Sequence, residues 1–468
     1  MKYWFENLYI RGVWSSSVFV EVDSEGRIIS LVADLDPNGI ENLKKIDGFT
    51  LSGIPNGHSH SFQYLMSGLT EYSSRGINDD FWSWRESMYF LAQKLNKDQL
   101  FAVTYMLYCR MLECGYTSVV EFHYLKHLSS NLYSKLQSRE DFIDSSLESY
   151  EVICQAADKA QIDLLLCPVF YGQGGFGQPL SSQQEKFSDR DVDTYLETLK
   201  EFKKRNESRP LSYGIHSLRA ASDKDIFQIV EAKPDSSPLH IHVAEQLKEL
   251  EECKEQYGKR PVEWLLSEVA VDSKWSLVHA THISEIELKG IVDKNINVVL
   301  CPSTEANLGD GIFPFSDFSH QSGSWCIGSD SHIGMNSLEE LRWLEYQQRL
   351  IHHQRNPLVS GDKEHSAHIL FDSCIAGGFK ALGRETNGLE QGEWLQVQVY
   401  DKDHELLEGV AEDKILSTLI FSGPQIRPKQ VINKGKTVVE EYRHINLGEA
   451  KKIWREAKLD AFRKQNHS

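Results

Sequence analysis

Short apolar segments alternate with longer amphipathic segments through the middle of the chain. The short segments have the length and the β-branched, aromatic composition of buried strands: TSVVEFHY, DLLLCPVFY, LSYGIHS, LHIHVAE, WSLVHATH, INVVLCPS and SWCIGSDS. The segments between them place apolar residues at helical spacing, as in KDQLFAVTYMLYCRMLECG, KDIFQIVEAKP and SEIELKGIVDKN. Such alternation is typical of parallel strands joined by crossover helices. With the strand that ends near His58, about eight units fit, which predicts an α/β fold, a (β/α)8 barrel.

An open, doubly wound sheet is the alternative fold for this pattern. That fold is typically marked by a glycine-rich dinucleotide-binding motif, and we find none in the sequence. The two ends of the chain differ from the middle. They predict short strands and hairpins, at the DSEG turn near the N-terminus and in EWLQVQVYD, ILSTLIFS and PKQVINKGKTVVEEY near the C-terminus. The last residues, AKKIWREAKLDAFRKQNHS, predict an amphipathic helix.

Composition and charge exclude several classes of protein. The chain has 468 residues and a net charge of −18, which argues against broad nucleic-acid binding. No apolar run is long enough to span a bilayer, and Glu6 and Arg11 interrupt any secretory signal. The eight cysteines include no CxxC pair, so we expect reduced thiols in a cytoplasmic protein.

Residues capable of chemistry stand at the ends of the predicted strands. His58 and His60, in GIPNGHSHSFQ, are one residue apart and would share a face of a strand. An H-x-H pair alone is weak evidence for a metal site. The later strands end in further candidates: Glu121, His123, Tyr124, His216, Arg219, His240, His242, Glu245, His279, His282, Asp330 and His332. Since the strand ends of a barrel meet at one mouth, we expect these side chains to converge.

Three imidazoles and one carboxylate would suit Zn²⁺, with Fe²⁺ and Mn²⁺ as alternatives. His242 is nearer its strand end than His240, so we interpret His242 as a ligand and His240 as a core residue. Glu245 follows closely enough to reach a metal-bound water and to move its proton. Of the two histidines in HATH, we favour His279, because His282 precedes a predicted helix start.

The order H-x-H, HVAE, LVHATH, CPSTEANLGDG and CIGSDS resembles the amidohydrolase superfamily, in its deaminase branch. The resemblance covers nearly the whole chain and favours the barrel over the open sheet. It implies that residues 1–50 and 385–445 form a small β-sandwich, that 51–384 form the metal-dependent barrel, and that 446–468 form a C-terminal helix. It also implies that such barrels pair as homodimers.

Longer motifs narrow the resemblance within that branch. PNGHSHSFQYLMSGLTE, FWSWRESMY, HSLRA and HIHVAEQ resemble members that hydrolyse N-formimino-L-glutamate to N-formyl-L-glutamate and ammonia in histidine breakdown. The resemblance implies a metal held by His58, His60, His242 and Asp330, and catalysis by Glu245, His279 and Asp330. It implies substrate contacts from Gln63, Arg85, Tyr124, His216 and Arg219. TSVVEFHY ends without the lysine that bridges two metals in some members, so one divalent ion, Zn²⁺ above all, is expected.

The expected partner is therefore a small dicarboxylate, with no nucleic acid and no membrane. Two arginines favour that substrate over a ring amine such as guanine, because Arg binds carboxylates bidentately. The sequence is also compatible with an inactive barrel used as a binding module and with a carbonyl-amide hydrolase. Glu121, His123 and His332 receive no role from the sequence.

Overall fold

The computed structural model describes residues 1–72, 79–128, 136–359, 364–423 and 425–463. Eight parallel strands form a barrel, and each is hydrogen-bonded to the next in chain order. These strands are β5 (Ile54–Ser59), β6 (Tyr116–His123), β7 (Asp163–Phe170), β8 (Tyr213–Ile215), β9 (Leu239–Val243), β10 (Trp275–His279), β11 (Asn297–Leu300) and β12 (Ser324–Ile327). Every residue of β5, β6, β7, β9, β10 and β11 is buried, as expected for strands covered on both faces.

Helices surround the barrel, and those between β5 and β12 connect its strands. Their bounds are α1 (Phe81–Lys94), α2 (Lys97–Glu113), α3 (Arg139–Ala160), α4 (Val192–Arg205), α5 (Asp223–Ala232), α6 (Leu247–Tyr257), α7 (Pro261–Glu268), α8 (Glu285–Asp293), α9 (Pro302–Leu308), α10 (Phe315–His320), α11 (Ser337–His352), α12 (Ser366–Ala381), α13 (Glu412–Phe421) and α14 (Leu447–Arg463). Within the described residues, no helix combines the length and apolarity needed to cross a lipid bilayer.

The first and last barrel strands meet at the mouth of the barrel. The His60 amide donates to the Asp330 carbonyl, and the Asp330 amide donates to the His58 carbonyl, both at 3.1 Å. This pairing joins the end of β5 to the segment after β12. It therefore brings together two stretches of chain that lie about 270 residues apart in sequence and carry candidate ligands.

A second sheet of eight strands combines both ends of the chain. Its strands are β1 (Lys2–Ile10), β2 (Val13–Val22), β3 (Ile28–Val32), β4 (Leu43–Ser52), β13 (Val397–Tyr400), β14 (Gln430–Asn433), β15 (Lys436–Glu440) and β16 (Arg443–His444). The sheet curls, so that the Gly26 carbonyl near one edge accepts from the Leu395 amide at 2.9 Å. The curl encloses a separate apolar core that includes Tyr3, Phe5 and Val397. The predicted fold class is confirmed. The residue boundaries of the domains stay predictions. Residues 464–468, the end of the predicted C-terminal helix, lie outside the described residues.

One predicted strand is wrong. All of ILSTLIFS except its last residue lies within helix α13, which spans Glu412–Phe421. Its apolar run suits either structure, but the buried residues are Ile415, Leu416, Leu419 and Ile420. That spacing forms one face of a helix, and the acidic residues at the helix start favour the N-terminal end of its dipole.

A buried carboxylate ties the barrel to the second sheet. Asp163, at the start of β7, contacts Arg384 at 2.6 Å and Lys434 at 2.7 Å. Burial by itself would raise the pKa of Asp163, but the two cations outweigh it and hold the pKa below the usual 3.8. We expect Asp163→Asn to lower the free energy of unfolding by about 2 kcal/mol. Denaturant unfolding at neutral pH measures this loss.

The pH dependence of that stabilisation has a defined sign. Because the folded pKa lies below the unfolded one, the contribution is present above 3.8 and is lost as the pH falls through the folded pKa. The matched control is Asp158→Asn, which breaks an ion pair to Arg209 at 2.7 Å on the surface. We expect Asp158→Asn to lower the free energy of unfolding by less than about 1 kcal/mol. Equal losses for the two variants would contradict the role given to Asp163.

Candidate active site

Three histidines converge at the mouth of the barrel. The Nε2 atom of His58 lies 3.0 Å from Nε2 of His60 and 3.0 Å from Nε2 of His242, and the third side of this triangle is 3.3 Å. All three side chains are buried. The two-residue periodicity of the strand end aims His58 and His60 at the same point, as the sequence predicted.

The protonation of these rings fits a bound cation. Burial lowers the pKa of all three well below its usual value, so the rings are neutral. His60 Nδ1 lies 2.9 Å from the Phe122 carbonyl oxygen, so it carries the ring proton and Nε2 presents a lone pair. Close approach of three imidazole Nε2 atoms is favourable when a metal ion accepts their lone pairs.

Asp330 stands beside the triangle of histidines. Its Oδ1 lies 3.3 Å from His60 Nε2 and 3.5 Å from His58 Nε2, and its Oδ2 lies 3.7 Å from His279 Nε2. The backbone of Asp330 and of His279 is left-handed, with φ of 46° and 69°. This conformation is rare for L residues and is concentrated at functional sites. Here it turns both side chains from their strand ends toward the mouth.

His279 is surrounded by carboxylates. Burial alone would lower its pKa, but Glu245, Glu305 and Asp330 raise the pKa of His279 to about 10. Its Nε2 lies 3.7 Å from Glu245 Oε1, and its Nδ1 lies 3.2 Å from Glu305 Oε1. Glu305 also accepts from the Cys301 amide at 2.9 Å, which fixes its position. One nitrogen of His279 is therefore anchored and the other is aimed at the site.

Glu245 is held by a guanidinium. Arg219 Nη2 donates to Glu245 Oε2 at 3.1 Å, and both side chains are buried. Arg219 also lies over the rings of Phe81 and Trp82, at 5.8 and 6.0 Å from their centres. The candidate acid–base residue and a candidate carboxylate receptor are thus in direct contact.

The other predicted substrate contacts are Gln63, Tyr124, His216 and Arg85. Gln63 Nε2 donates to the Tyr124 hydroxyl at 2.9 Å, while Gln63 Oε1 has no partner among the described residues. His216 packs edge-on against Tyr124, with ring centres 5.3 Å apart. Arg85 lies 4.5 Å above the Trp82 ring, and its buried Nε has no partner within the described part of the chain. Both groups retain hydrogen-bonding capacity for a ligand.

These side chains line one cavity. All the predicted metal-binding, catalytic and substrate-binding residues except His58 line it: Gln63, Arg85, Tyr124, His216, Arg219, His60, His242, Glu245, His279 and Asp330. His58 reaches the same point through its contacts with His60 and His242. The convergence expected from the strand ends is therefore present in the structure; the role of each residue stays a prediction.

The sequence interpretation missed several residues of the site. Tyr171 follows β7 as Tyr124 follows β6, and it lines the cavity, with its ring centre 4.7 Å from that of His216. The strand-end rule could have identified it. Tyr89 also lines the cavity, from α1. Glu249 and Glu305 contact Arg219 and His279. Glu305 lies in the CPSTEANLGDG motif but received no role from it, and no local sequence signal separates Glu249 from surface glutamates.

The structure gives contacts for the residues that the sequence left without a role. Glu121 accepts from the Ser59 hydroxyl at 2.6 Å and from the Ser61 amide at 2.7 Å, on either side of His60. His332 Nδ1 lies 3.0 Å from the Ser329 hydroxyl. His123 lies 3.1 Å from the Ser149 hydroxyl, away from the three converging histidines. Glu121 and His332 therefore support the backbone that carries His60 and Asp330.

Comparison with known proteins places this geometry in a family. Residues 49–438 match the model of the amidohydrolase family. Formimidoylglutamate deiminase of Pseudomonas aeruginosa is 40% identical over 435 residues, which are 92% of this chain and 93% of that protein.

Solved structures agree with the fold. The crystal structure of an amidohydrolase from Brucella melitensis is 35% identical, has a TM-score of 0.89 and covers 98% of this chain and 99% of its own. An adenosine deaminase from Xanthomonas campestris with bound zinc has a TM-score of 0.78, with 99% of this chain and 98% of that one covered. At 18% identity, this second likeness shows the fold alone.

Proposed function

We propose that this chain, which belongs to the amidohydrolase family, is a metal-dependent deiminase that hydrolyses N-formimino-L-glutamate to N-formyl-L-glutamate and ammonia. One observation carries the proposal: a single cavity holds both the histidine cluster and two arginines, Arg85 and Arg219. The 40% identity to formimidoylglutamate deiminase over most of both chains supports the choice of substrate. Histidine degradation is the pathway this activity would serve.

The substrate chemistry matches the polar groups of the cavity. N-formimino-L-glutamate has two carboxylates and an amidine-like formimino group, so an acidic protein of net charge −18 must bind it with local cations. Arg85 and Arg219 supply these cations, and guanidinium groups suit carboxylates. Gln63 and the Tyr124 hydroxyl add neutral hydrogen-bonding groups to the same cavity.

The proposal includes one divalent metal ion. His58, His60, His242 and Asp330 would hold it, and this set of three nitrogens and one oxygen suits Zn²⁺. When bound, such an ion supplies a Lewis acid and makes a water acidic enough to serve as the nucleophile near neutral pH.

The chain's own residues then move the protons. The Asp330 carboxylate accepts a proton from the attacking water, and the oxygen of that water adds to the formimino carbon. The Glu245 carboxylate takes the hydroxyl proton of the resulting tetrahedral adduct and passes it to the amino nitrogen. The carbon–nitrogen bond breaks as the carbon–oxygen double bond forms, and ammonia leaves. His279, anchored by Glu305, donates a hydrogen bond to the oxygen that gains charge. The other nitrogen stays on the glutamate as a formamide.

The proposal also covers the location of the protein in the cell and its partners. A cytoplasmic location is supported by the eight cysteines, all of which lie among the described residues as free thiols. The substrate is expected to be the small dicarboxylate alone, with no nucleic-acid partner. Homodimer formation stays a prediction from the resemblance.

Ammonia release tests the proposed function. Metal-loaded protein is given N-formimino-L-glutamate, with guanine and N-formyl-L-glutamate as control substrates. We expect rapid, metal-dependent release from the first compound alone. Release from guanine instead would make the chain a ring deaminase, and no release from any of the three by metal-loaded protein would remove the substrate assignment.

Arg85 gives a test of substrate binding. We expect Arg85→Gln to raise KM by about 10- to 100-fold with a smaller change in kcat, because a charge-assisted hydrogen bond to a carboxylate is lost. Lys94→Gln, which removes a cation from the same helix α1 near Phe90, is the matched control and should leave KM unchanged. An unchanged KM for Arg85→Gln would remove Arg85 from the substrate contacts.

A further inference from the structure

Glu249 is a fully buried carboxylate in the first turn of α6, behind the candidate site. Its Oε1 accepts from the Ala244 amide at 3.0 Å, and its Oε2 accepts from the Glu245 amide at 3.3 Å. Ala244 has a left-handed backbone, with φ of 51°. Glu249 therefore holds the turn through which the chain leaves β9 and aims Glu245 at the cavity.

The same carboxylate also faces Arg219. Glu249 Oε2 lies 3.7 Å from Arg219 Nε, and that buried nitrogen has no hydrogen-bond partner among the described residues. At its other end, Arg219 donates to the Glu245 side chain through Nη2. Glu245, Arg219 and Glu249 thus form a closed loop of contacts, in which one guanidinium is shared between two carboxylates.

Because Arg219 is shared with Glu249, it binds the Glu245 carboxylate less tightly. If Glu245 were the only anion beside Arg219, Coulomb attraction would hold its carboxylate against the guanidinium. Arg219 is also attracted to Glu249, which two backbone amides hold in place, so its attraction to Glu245 is weaker. Glu245 can then direct its other oxygen toward His279, 3.7 Å away.

We propose that Glu249 is a positioning residue, which sets the direction of both Glu245 and Arg219 and so couples proton transfer to the binding of a substrate carboxylate. This inference rests on the proposed function. Glu249 does not line the cavity, so it acts through the two residues that do.

The test compares Glu249→Gln with a matched variant elsewhere in the barrel. Glu287 is also buried, accepts from the Ser284 and Glu263 amides at 2.7 and 3.0 Å, and pairs with Arg260 at 2.8 Å. It therefore makes the same kinds of contact, but its partners do not line the cavity. Both variants are measured with N-formimino-L-glutamate for kcat, KM, bound metal and thermal stability.

We expect Glu249→Gln to lower kcat by about 10- to 100-fold and to raise KM, with bound metal unchanged, because its amide cannot replace a carboxylate that serves two amides and a guanidinium. We expect Glu287→Gln to lower thermal stability and to leave kcat and KM unchanged. A Glu249→Gln variant that behaves like Glu287→Gln overturns the inference, since Glu249 would then be structural only.

A second variant keeps the test decisive if Glu249→Gln does not fold. Glu249→Asp retains the charge but shortens the side chain by one methylene, which withdraws it from the two amides. Lower kcat and higher KM support the inference, and unchanged values overturn it. If the unmodified protein releases no ammonia from N-formimino-L-glutamate, the proposed function fails, and this inference fails with it. If the unmodified protein is active and both Glu249 variants match it, the inference alone fails.

Discussion

Glu245→Gln is expected to lower kcat for N-formimino-L-glutamate by about 10³-fold while the protein keeps its bound metal. Glutamine preserves the hydrogen bond from Arg219 but has no ionisable proton to give to the leaving nitrogen. Glu245 is not among the residues proposed to hold the metal, so metal content should equal that of the unmodified protein. Steady-state kinetics and metal analysis on the same preparation measure both quantities.

The control for this prediction is Glu252→Gln. Glu252 lies on α6 and contacts Lys248 at 3.6 Å on the surface, so its loss should leave kcat unchanged. A fully active Glu245→Gln variant would contradict the proton-transfer role. Loss of metal together with activity would instead place Glu245 among the ligands.

His242→Ala is expected to remove metal and activity together. The substitution takes one of three converging nitrogens away, and the two that are left lie on one short stretch at the end of β5. Loss of a partner that merely orients a ligand costs about 10- to 100-fold in affinity, so loss of a ligand itself should cost more. Metal stoichiometry by elemental analysis, alongside ammonia release, tests this prediction.

His240 provides a control on the same strand. It is equally buried, but its Nε2 lies 3.1 Å from the Ala381 carbonyl, away from the site. His240→Gln should lower stability and keep the metal. Metal retained at full stoichiometry by His242→Ala, or lost from His240→Gln, would contradict the assignment of the third histidine.

The fold could be predicted because its signals are local and repeated. Buried parallel strands are apolar throughout, helices have their own period, and the two alternate along the chain. The ILSTLIFS segment shows where this logic fails. An eight-residue apolar run fits a strand or a helix, and only packing against neighbouring helices decides between them.

The residues of the candidate site that lie at strand ends could be predicted from the sequence. His58 and Asp330 could be placed together because His58 lies at the end of the first barrel strand and Asp330 follows the last one, and barrel strands share one mouth. Glu249 and Glu305 could not, because each acts through a contact with a residue on another segment. Their burial and their partners are tertiary facts. The sequence around Glu249 resembles an ordinary solvated helix, and the CPSTEANLGDG motif does not show that Glu305 contacts His279.

Hydrolysis of N-formimino-L-glutamate by metal-loaded protein in ¹⁸O-labelled water reveals directly where the oxygen enters and which nitrogen leaves. We expect N-formyl-L-glutamate with one ¹⁸O atom in the formyl group, together with one equivalent of ammonia. Water would then have attacked the formimino carbon, and the terminal nitrogen would have left. L-Glutamate and formamide as products would contradict the account, because the other carbon–nitrogen bond would have been cleaved.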